Sequence, residues 1–484
     1  MPGTGQPSPE PFVVRPVPDD VLRVADEGLG RRDDTGKRVI VLGAGLAGLV
    51  AAFELQREGH DPLVLEAQNR VGGRIYTLRS FAPGLYAEAG GMRLPQAHDL
   101  TLAYCRLFGL RLRPFVMGSP AGLVHVGGMR MTAAEADADP ATLGFPVAEH
   151  ERGKSCNDLW EEATADLRGL LAREGTPAWD QIIVQYDRYS LREFLEAKGW
   201  SSGAIEMYGV LNFLESDMEN AFLEVLREDL GAAYTDMHEI VGGMDLLPQG
   251  FYNALADRVR FGAEVHALEQ DDRSVTVHFR TEAGNFSVTG DYAVCTLPFG
   301  CLRQVEARFS HEKQKAIREL NYSASTKVLM QVRNRRWETE DGILGGATCT
   351  DLSIRRMNYP TPDPTTTRGV LLASYTWGQD ALRWGSLDDE SRLEQALDDV
   401  ERIHPWIREE YEVGASHAWY DDRWAGGAFA LFDPGQQSEL QATIVAPEGR
   451  LLFAGEHCSL YHAWIQGALE SGIRAARDIH ERPA

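Results

Sequence analysis

The sequence is short of basic residues and has no apolar run long enough to cross a membrane. Its 484 residues include 72 acidic and 48 basic side chains, which gives a formal net charge of −24. Because nucleic acids and anionic membrane surfaces repel such a charge, we expect neither as a partner. The longest apolar stretch, from Val39 to Phe53, contains three glycines and falls short of a membrane span. A chain of this length is too long for one core, so we expect two or three domains.

Cysteine motifs are also missing. The six cysteines form no C-x-x-C pair and show no metal-ligand spacing with histidine, so we expect free thiols and no metal site. Residues 1–11 are rich in Pro, Gly and Ser and lack a basic patch followed by an apolar core. We therefore expect them to be disordered rather than a signal peptide, with a short helical arm over 18–30. Together these features predict a cytoplasmic protein.

What the sequence does contain is a dinucleotide-binding motif near its start. A buried-strand run from Val39 to Leu42 is followed by a glycine-rich turn, an apolar helix, a second strand over 62–65 and then an acid. The glycines allow a tight turn, a close approach of the diphosphate and close helix–strand packing, and the acid can accept from ribose hydroxyls. The free N–H groups of the helix N-terminus favour a diphosphate. The cofactor-binding residues predicted from this motif are Gly43, Gly45, Gly48 and Glu66.

A second glycine turn follows the acid and distinguishes FAD from NAD. It reads Arg-Val-Gly-Gly-Arg over 70–74, and it resembles a motif of the amine-oxidase branch of FAD proteins that runs beside the diphosphate and the flavin. Taken alone, a Gly-Gly pair between charged residues is also an ordinary surface turn. Directly after a dinucleotide motif, it favours FAD.

The rest of the chain separates into helix-like and strand-like segments. Apolar residues recur at three- and four-residue spacing over 159–173, 189–198 and 205–214, which predicts helices, whereas the acidic, alanine-rich stretch 133–140 indicates a loop. Strand-like pieces and a closing helix follow. The strand-like pieces cover 264–269, 274–280, 292–296, 327–332, 370–375 and 450–454, and the helix covers 467–481.

This order predicts an α/β protein with a discontinuous, Rossmann-type FAD-binding domain. A substrate domain built on a mixed sheet and a helical domain are inserted into it, so that the cofactor lies between domains, where pockets usually form. The predicted boundaries are 1–36 for an N-terminal arm, 37–100, 236–320 and 445–484 for the FAD-binding domain, 101–235 for the helical domain and 321–444 for the substrate-binding domain.

From residue 37 to 481 the chain resembles the L-amino-acid oxidases of the flavin monoamine oxidase superfamily. Beyond the two glycine turns, the resemblance rests on an ordered set of short motifs. They are Gly-Gly-Met-Arg-Leu-Pro over 90–95, Glu-Ile-Val-Gly-Gly-Met-Asp over 239–245, Thr-Lys-Val over 326–328, Arg-Trp-Ala-Gly-Gly over 423–427 and Phe-Ala-Gly-Glu-His over 453–457.

The resemblance implies roles for several residues around the substrate. Arg93 and Tyr359 would bind the substrate carboxylate, and a guanidinium suits this role because its planar fork donates two parallel hydrogen bonds. Lys327 would act through a water at the flavin N5, and Trp464 would form a wall of the pocket beside the flavin. The alternatives are a surface salt bridge for Arg93, an exposed strand lysine for Lys327 and ordinary core packing for Trp464.

The resemblance also implies further cofactor contacts. Glu456 would accept from ribityl or ribose hydroxyls, and Val265 would contact the adenine side through its backbone. Other residues implied to bind FAD are Gly73, Arg74, Gly91, Met92, Gly455, Trp464 and Ile465.

The chain departs from the family pattern at two places. Monoamine oxidases attach FAD through a cysteine directly after a Gly-Gly pair, but here Ala428 follows that pair, so we expect non-covalent FAD. Venom-type enzymes carry a histidine and an aromatic residue where an ungapped count gives Arg227 and Gly231. One hypothesis is that Arg227 binds an acidic, glutamate-like side chain and that Gly231 opens space. The other is that Arg227 pairs with Glu224, Glu228 or another neighbour on a solvated helix.

The implied reaction is oxidative deamination of an L-amino acid to a 2-oxo acid with release of ammonia and hydrogen peroxide. The partners would then be an L-amino acid and O2, and we expect a homodimer or a higher homo-oligomer. Three alternatives share the motifs. They are an amine oxidase of a biosynthetic pathway acting on a carboxylate-bearing substrate, a decarboxylating 2-monooxygenase, and a flavin-dependent isomerase or desaturase with no net amino-acid oxidation.

Overall fold

The computed structural model describes residues 17–30 and 36–483. The predicted helical arm is present as two short helices, Asp19–Leu22 and Val24–Glu27, whose apolar side chains pack into the main core. The expectation of disorder over 1–11 lies outside the described residues. Within the described part of the chain, no helix is both long and apolar enough to cross a membrane.

The nucleotide-binding sheet is a parallel sheet of five strands taken from distant parts of the chain. Its three inner strands are short and mostly apolar, as expected for strands that are buried on both faces. In spatial order the strands are Val259–Arg260, Asp61–Leu65, Arg38–Leu42, Tyr292–Cys295 and Leu451–Phe453. The discontinuous nucleotide-binding fold predicted from the sequence is therefore present.

Alternate side chains of the central strand pack into two different cores. Val39 and Val41 belong to the core formed with the helices, whereas Ile40 and Leu42 face the opposite side. The helices on the first side are Leu46–Arg57, Asp99–Leu107, Leu246–Leu255 and Ile465–Glu481. The opposite side is covered by the antiparallel strands Glu264–Gln270, Val275–Thr281 and Gly284–Gly290, and by the helices Phe299–Leu302, His311–Glu319 and Gln436–Val445.

The second large sheet of the molecule is a mixed sheet of seven strands. The strand Ser325–Val332, second from one edge, is buried at every residue. In spatial order the strands are Tyr411–Ala418, Ser325–Val332, Gly369–Trp377, Arg356–Tyr359, Gly346–Thr350, Leu123–Val126 and Met129–Thr132. The helices Arg336–Thr339, Gly378–Gly385, Asp389–Ile403 and Ile407–Glu410 accompany it. The last two strands come from the stretch that we assigned to the helical domain, and the domain boundaries remain a prediction.

The helical region is a separate cluster with its own aromatic core. The rings of Phe194 and Phe222 are stacked with centroids 3.6 Å apart at its centre. Serine side chains at 155, 190 and 201 cap three of the helices by accepting a backbone N–H of the first turn. The helices are Cys156–Glu174, Thr176–Tyr186, Leu191–Ala197, Ser202–Asn212 and Phe222–Leu230.

The expected loop over 133–140 is wrong, because a helix covers Ala133–Ala138. Thr132 accepts from the backbone N–H of Glu135, and the Glu135 carboxylate accepts from the backbone N–H of Thr132. This reciprocal cap satisfies the free donors of the first turn and permits a helix despite its acidic composition.

Short elements complete the fold. Small sheets are formed by Leu94–Pro95, Met237–Ile240 and Leu112–Pro114, by Thr77–Leu78 with Ala87–Glu88, and by Tyr322–Ser323 with Phe429–Ala430. Short 3-10 helices cover Pro140–Leu143, Glu149–Glu151, Glu215–Asp217, Ala256–Arg258 and Glu456–Cys458.

Candidate active site

The first glycine turn is tightly packed where the helix meets the strand, and it faces empty space at Gly45. A Cβ at Gly48 would lie 2.1 Å from the carbonyl oxygen of Gly43, so only glycine allows this approach of helix and strand. A Cβ at Gly45 would meet nothing within 4 Å. Among the described residues no side chain caps the helix Leu46–Arg57, which leaves the N–H groups of its first turn free for a ligand. This cradle fits a diphosphate.

The acid that follows holds this turn in place. The Glu66 carboxylate accepts from the backbone N–H groups of Ala44 at 2.7 Å and Gln68 at 2.8 Å. Burial raises its pKa above the ordinary value. Because each carboxylate oxygen can accept more than one hydrogen bond, Glu66 still has capacity for a ribose hydroxyl.

The second glycine turn packs directly on the first. Gly72 donates its N–H to the Ala44 carbonyl at 2.8 Å, and a Cβ at Gly73 would lie 3.4 Å from the Cα of Gly45. Both glycines have positive φ, 105° and 57°. The Gly-Gly pair is therefore packed against the first glycine turn and is not a plain surface turn.

Arg74 and Glu456 form an ion pair beside these turns. Their side chains are 2.7 Å apart, and Arg74 also donates to the Ala428 carbonyl at 3.1 Å. Glu456 accepts in addition from the backbone N–H of Ala463 at 3.0 Å. Although burial alone would raise it, the charge of Arg74 holds the pKa of Glu456 below its usual range. The pair ties the second turn to the C-terminal part of the chain.

One cavity of about 660 Å³ runs from the glycine turns to the seven-stranded sheet. Its wall contains most of the side chains and backbone segments singled out in the sequence. These are Gly43, Gly45, Glu66, Gly73, Arg74, Gly91, Met92, Arg93, Val265, Lys327, Gly455, Glu456, Trp464 and Ile465. Gly48 lies behind the turn, consistent with its packing role.

Lys327 is a buried cavity lysine and not an exposed strand residue. Its side chain is 2 % exposed, and Nζ donates to the carbonyl oxygens of Gly90 at 2.6 Å and Glu88 at 3.2 Å. Burial, together with the nearby charge of Arg93, lowers its pKa to about 7. The lysine can therefore hold or release a proton at neutral pH.

Arg93 lines the same end of the cavity and has no carboxylate partner among the described residues. Its Nη1 donates to the thioether sulfur of Met117 at 3.3 Å, and its guanidinium lies 5.6 Å from the ring centroid of Tyr234. A thioether is a weak acceptor. Most of the donors of this guanidinium therefore remain available to a ligand, and a surface salt bridge is excluded as its role.

Trp464 forms an aromatic wall next to Arg93. Its ring centroid lies 5.8 Å from that of Tyr234 and 5.0 Å from that of His98. The indole Nε1–H donates to Glu228 at 2.7 Å. The tryptophan is thus oriented by a hydrogen bond while one part of it faces the cavity.

The structure contradicts the assignment of Tyr359 to the carboxylate site. Its hydroxyl hydrogen-bonds to Thr348 Oγ1 at 2.7 Å and His404 Nε2 at 2.8 Å, and it does not line the cavity. The side chain instead packs in the core between the seven-stranded sheet and its helices. Because side chains alternate along a strand, its position in Arg356–Tyr359 directs it away from the cavity.

Tyr375 does line the cavity, beside Lys327, and the sequence reasoning missed it. It lies directly opposite Lys327 on the neighbouring strand, and Lys327 Nζ is 4.7 Å from its ring centroid. Residues opposite each other in adjacent strands share a face of the sheet. If the predicted strand 370–375 had been paired with the predicted strand 327–332, Tyr375 could have been identified as a neighbour of Lys327.

Arg227 is also placed differently from the prediction that it lines the substrate pocket. Its side chain lies on a face of the helix Phe222–Leu230 that is turned away from the cavity, where it pairs with Glu224 at 3.0 Å and donates to Gln437 at 2.5 Å. Neither Arg227 nor Gly231 lines the cavity. The alternative, an ion pair with Glu224, is the correct one, although the pair is buried and not solvated. The cavity is therefore lined by the acids of this helix rather than by its arginine.

Cysteine is nearly absent from the cavity. Ala428 lines it where monoamine oxidases have their attachment cysteine, and Cys301 is the one cysteine on the wall among the described residues. Burial raises the pKa of Cys301 to about 11, which keeps it a thiol. Nothing in the described part of the chain groups three or more metal-ligating side chains.

The fold and the cavity together define a dinucleotide-dependent oxidoreductase with a separate substrate end. A family model for flavin containing amine oxidoreductases matches residues 46–480, and the chain belongs to this family. This confirms the predicted family, the fold class and FAD as the cofactor.

Relatives and solved structures cover almost the whole chain. YobN of Bacillus subtilis (strain 168) is 38% identical over 96% of this chain and 99% of its own, and the L-amino-acid oxidase of Vipera ammodytes ammodytes is 36% identical over 96% of both. Putrescine oxidase bound to putrescine has a TM-score of 0.74 at 21% identity, covering 93% of this chain and 100% of that one. Cyclohexylamine oxidase from Brevibacterium oxydans IH-35A has a TM-score of 0.72 at 19% identity, covering 92% and 100%. At these identities the two structures support the fold alone.

Proposed function

We propose that the protein oxidises L-amino acids to 2-oxo acids, with O2 as the electron acceptor and with ammonia and hydrogen peroxide as the other products. The observation that carries this proposal is the free guanidinium of Arg93 at the substrate end of the cavity. A simple amine offers nothing for such a group to bind, whereas an α-carboxylate matches its planar fork.

The residues around Arg93 suggest how the substrate is held. Tyr375 extends the polar wall beside Arg93 and Lys327, and Trp464 limits the space on the other side. Fixing the carboxylate orients the α-carbon, which is a proximity contribution to catalysis. When bound, FAD supplies the acceptor for the α-hydrogen and the two electrons.

Lys327 is positioned to handle protons during turnover. Its pKa of about 7 allows the amine to exchange protons with water or with the substrate near neutral pH. The hydrolysis of the imino acid consumes one water and releases ammonia, so each turnover consumes one O2 and one water. We propose that Lys327 orders the water that serves this step.

The setting of the enzyme is also a proposal. The six cysteines are unpaired, which suits a reducing compartment such as the cytoplasm. FAD without a covalent bond is supported by Ala428 and by the thiol state of Cys301. We further propose a homodimer or higher homo-oligomer, to be measured by light scattering.

A panel of L- and D-amino acids and of simple amines tests the proposed function on purified holoenzyme. We expect ammonia and peroxide in equal amounts from L-amino acids, and little from D-amino acids or from amines without a carboxylate. A decarboxylating monooxygenase would instead yield an amide and carbon dioxide, and an isomerase or desaturase would release no ammonia. Either result, or a clear preference for simple amines, would overturn the proposal.

A further inference from the structure

The substrate end of the cavity contains two carboxylates that form no ion pair among the described residues, although the charge of Arg93 acts on the second of them. They belong to Asp217, at the end of the 3-10 helix Glu215–Asp217, and to Glu228, on the helix Phe222–Leu230. The third acid of this wall, Glu224, differs because it already pairs with Arg227 and His462. Buried charges are costly unless they are paired, so the two unpaired acids need an explanation.

Asp217 is buried but reaches the cavity. It is 4% exposed, and its Oδ1 accepts from the side-chain amide of Asn220 at 3.1 Å. Burial, together with the charge of Glu228, raises the pKa of Asp217 to about 7. The protein thus gives this acid one neutral donor and no counter-charge.

Glu228 likewise receives only neutral donors. Trp464 donates its indole N–H and Tyr234 its hydroxyl, each at 2.7 Å. Burial raises the pKa of this carboxyl above the ordinary value. Since the Tyr234 ring also lies against the Arg93 guanidinium, Glu228 is one aromatic ring away from the proposed carboxylate site.

The two acids lie at the substrate end of the cavity and not at its nucleotide end. The segment before Asp217 packs against the strand that carries Tyr375, because the Phe213 ring is 5.7 Å from Tyr375 and 5.0 Å from Trp377. The wall in this region alternates apolar and acidic groups. Its members are Leu214, Asp217, Val225, Glu228, Tyr375 and Trp377.

A basic side chain near this region, that of Arg356, lies outside the cavity wall. It lies 5.6 Å from the ring centroid of Phe213 but does not line the cavity. The ring of Phe213 therefore packs against Arg356 as well as against Tyr375 and Trp377. The acids that line this part of the wall are Asp217, Glu224 and Glu228.

We propose that Asp217 and Glu228 form a subsite for a cationic side chain, so that the preferred substrates are L-amino acids ending in an ammonium or guanidinium group. This inference rests on the proposed function and names its substrate class. Arg93 binds the α-carboxylate at one end of the substrate, and the two acids bind the cation at the other. Leu214 and Trp377 contact the methylene chain between them. The subsite replaces the glutamate preference that Arg227 had suggested.

Matched substrates test this subsite on the wild-type holoenzyme. L-arginine and L-citrulline have nearly the same shape but differ in charge, and so do L-lysine and L-norleucine. From the typical effect of losing one partner of a buried charge pair, we expect kcat/KM to be about 30-fold or more higher for the charged member of each pair. L-leucine and L-glutamate complete the panel, with L-glutamate expected to be the poorest substrate.

Two nearly isosteric variants assign the effect to the two acids. Asp217→Asn and Glu228→Gln keep the size of each side chain, and we expect each to reduce the arginine-to-citrulline ratio of kcat/KM at least tenfold. Glu219→Gln is the control, because this neighbouring acid is 75% exposed, pairs with Arg192 and does not line the cavity. It should leave the ratio unchanged.

The outcomes separate this inference from the proposed function. If neutral L-amino acids are oxidised but the charged members have no advantage, or if L-glutamate is preferred, the subsite is overturned and the oxidase proposal stands. If no amino acid is oxidised, the oxidase proposal fails and the subsite fails with it. Should either variant not fold, the wild-type substrate pairs decide the question without it.

Discussion

At the scale of single residues, some charged side chains of the cavity have a hydrogen-bond or ion-pair partner within the protein, and others do not. Arg74 and Glu456 bond to each other, and the Glu66 carboxylate accepts from backbone N–H groups. Arg93, in contrast, meets a thioether and an aromatic ring. In the proposed function, the groups with a protein partner form the cofactor end of the cavity, and the guanidinium of Arg93 binds the substrate.

Replacing Arg93 by alanine should remove most of the activity without removing the cofactor. We expect kcat/KM for a good L-amino acid to fall about 30-fold or more, since truncating one partner of a buried charge pair costs about 2–5 kcal/mol. Steady-state peroxide assays give the rate, and the flavin absorption spectrum reports the cofactor content. Arg93→Lys keeps the charge but loses the fork, and should recover part of the activity. Unchanged kinetics in Arg93→Ala would remove this residue from the substrate site.

Two tyrosines of the seven-stranded sheet should respond differently to loss of the hydroxyl. Tyr375→Phe should lower kcat/KM with little effect on stability, because the hydroxyl belongs to a residue of the cavity wall. Tyr359→Phe should leave kcat/KM nearly unchanged but destabilise the protein by about 1–3 kcal/mol, because it leaves buried partners without their hydrogen bond. Kinetics and urea unfolding of both variants check this, and the reverse pattern would restore Tyr359 to the site.

The depressed pKa of Lys327 predicts how stability depends on pH. The folded protein releases this proton near pH 7, whereas the unfolded chain holds it up to about the ordinary value of 10.5. The unfolded state therefore binds more protons between these values, and stability should rise with pH in that window. Comparing urea midpoints of the wild type and Lys327→Met at pH 7 and pH 9.5 isolates this contribution. An equal pH response of the two proteins would contradict it.

The sequence predicts residues best where their role depends on the backbone and less well where it depends on a side-chain direction. Gly43 and Gly48 could be predicted because their positions in a strand–turn–helix unit fix what they contact. Tyr359 could not, since one step along a strand reverses its face. The prediction that Arg227 lines the pocket failed because the direction of a side chain on a helix also changes from one residue to the next. Glu224 and Glu228 are four residues apart and share the face that lines the cavity, whereas Arg227 lies off that face.

At the scale of elements, the first glycine turn connects the central strand of the nucleotide-binding sheet to the helix Leu46–Arg57, and the second glycine turn packs on the first. Local periodicity was enough to locate this unit, because strand, turn and helix are consecutive in the chain. The helix Ala133–Ala138 was missed because its signal is a side-chain cap by Thr132 and Glu135, and not apolar spacing. A capping motif can therefore predict a helix in a segment whose composition indicates a loop.

Substitutions in the first glycine turn should separate cofactor binding from folding. Gly45→Ala places its methyl group in open space, so we expect a folded protein whose dissociation constant for FAD rises about tenfold or more, equivalent to about 1.4 kcal/mol. Gly48→Ala forces a methyl group against the Gly43 carbonyl, so it should lower the thermal midpoint even without FAD. Circular dichroism and flavin titration give both quantities. Equal effects of the two variants would contradict the assigned roles.

At the scale of the whole molecule, the cavity joins parts of the chain that are distant in sequence. The order of elements predicts the interrupted nucleotide domain, since a parallel sheet needs crossover connections. It does not predict that Leu123–Val126 and Met129–Thr132 join the seven-stranded sheet, because pairing across more than two hundred residues leaves no local signal. The pairing of strands that are distant in the chain is therefore the part of this fold that could not be predicted from the sequence.

The absence of an attachment cysteine predicts that the cofactor can be removed intact. Precipitating the holoenzyme with trichloroacetic acid should leave FAD in the supernatant, because Ala428 offers no sulfur and Cys301 remains a thiol. Absorption and fluorescence of the supernatant measure the released flavin. A yellow pellet would show a covalent bond that the described residues do not suggest.

The order of strands in the nucleotide sheet also has a consequence for biosynthesis. The edge strand Leu451–Phe453 and the cavity residues Gly455, Glu456 and Trp464 follow the glycine turns by more than three hundred residues and therefore leave the ribosome later. The glycine turns, which are made earlier, must wait for these residues before their cofactor is enclosed. Flavin loading therefore follows translation, and a ribosome that stops before residue 451 releases a chain that cannot complete its cofactor site.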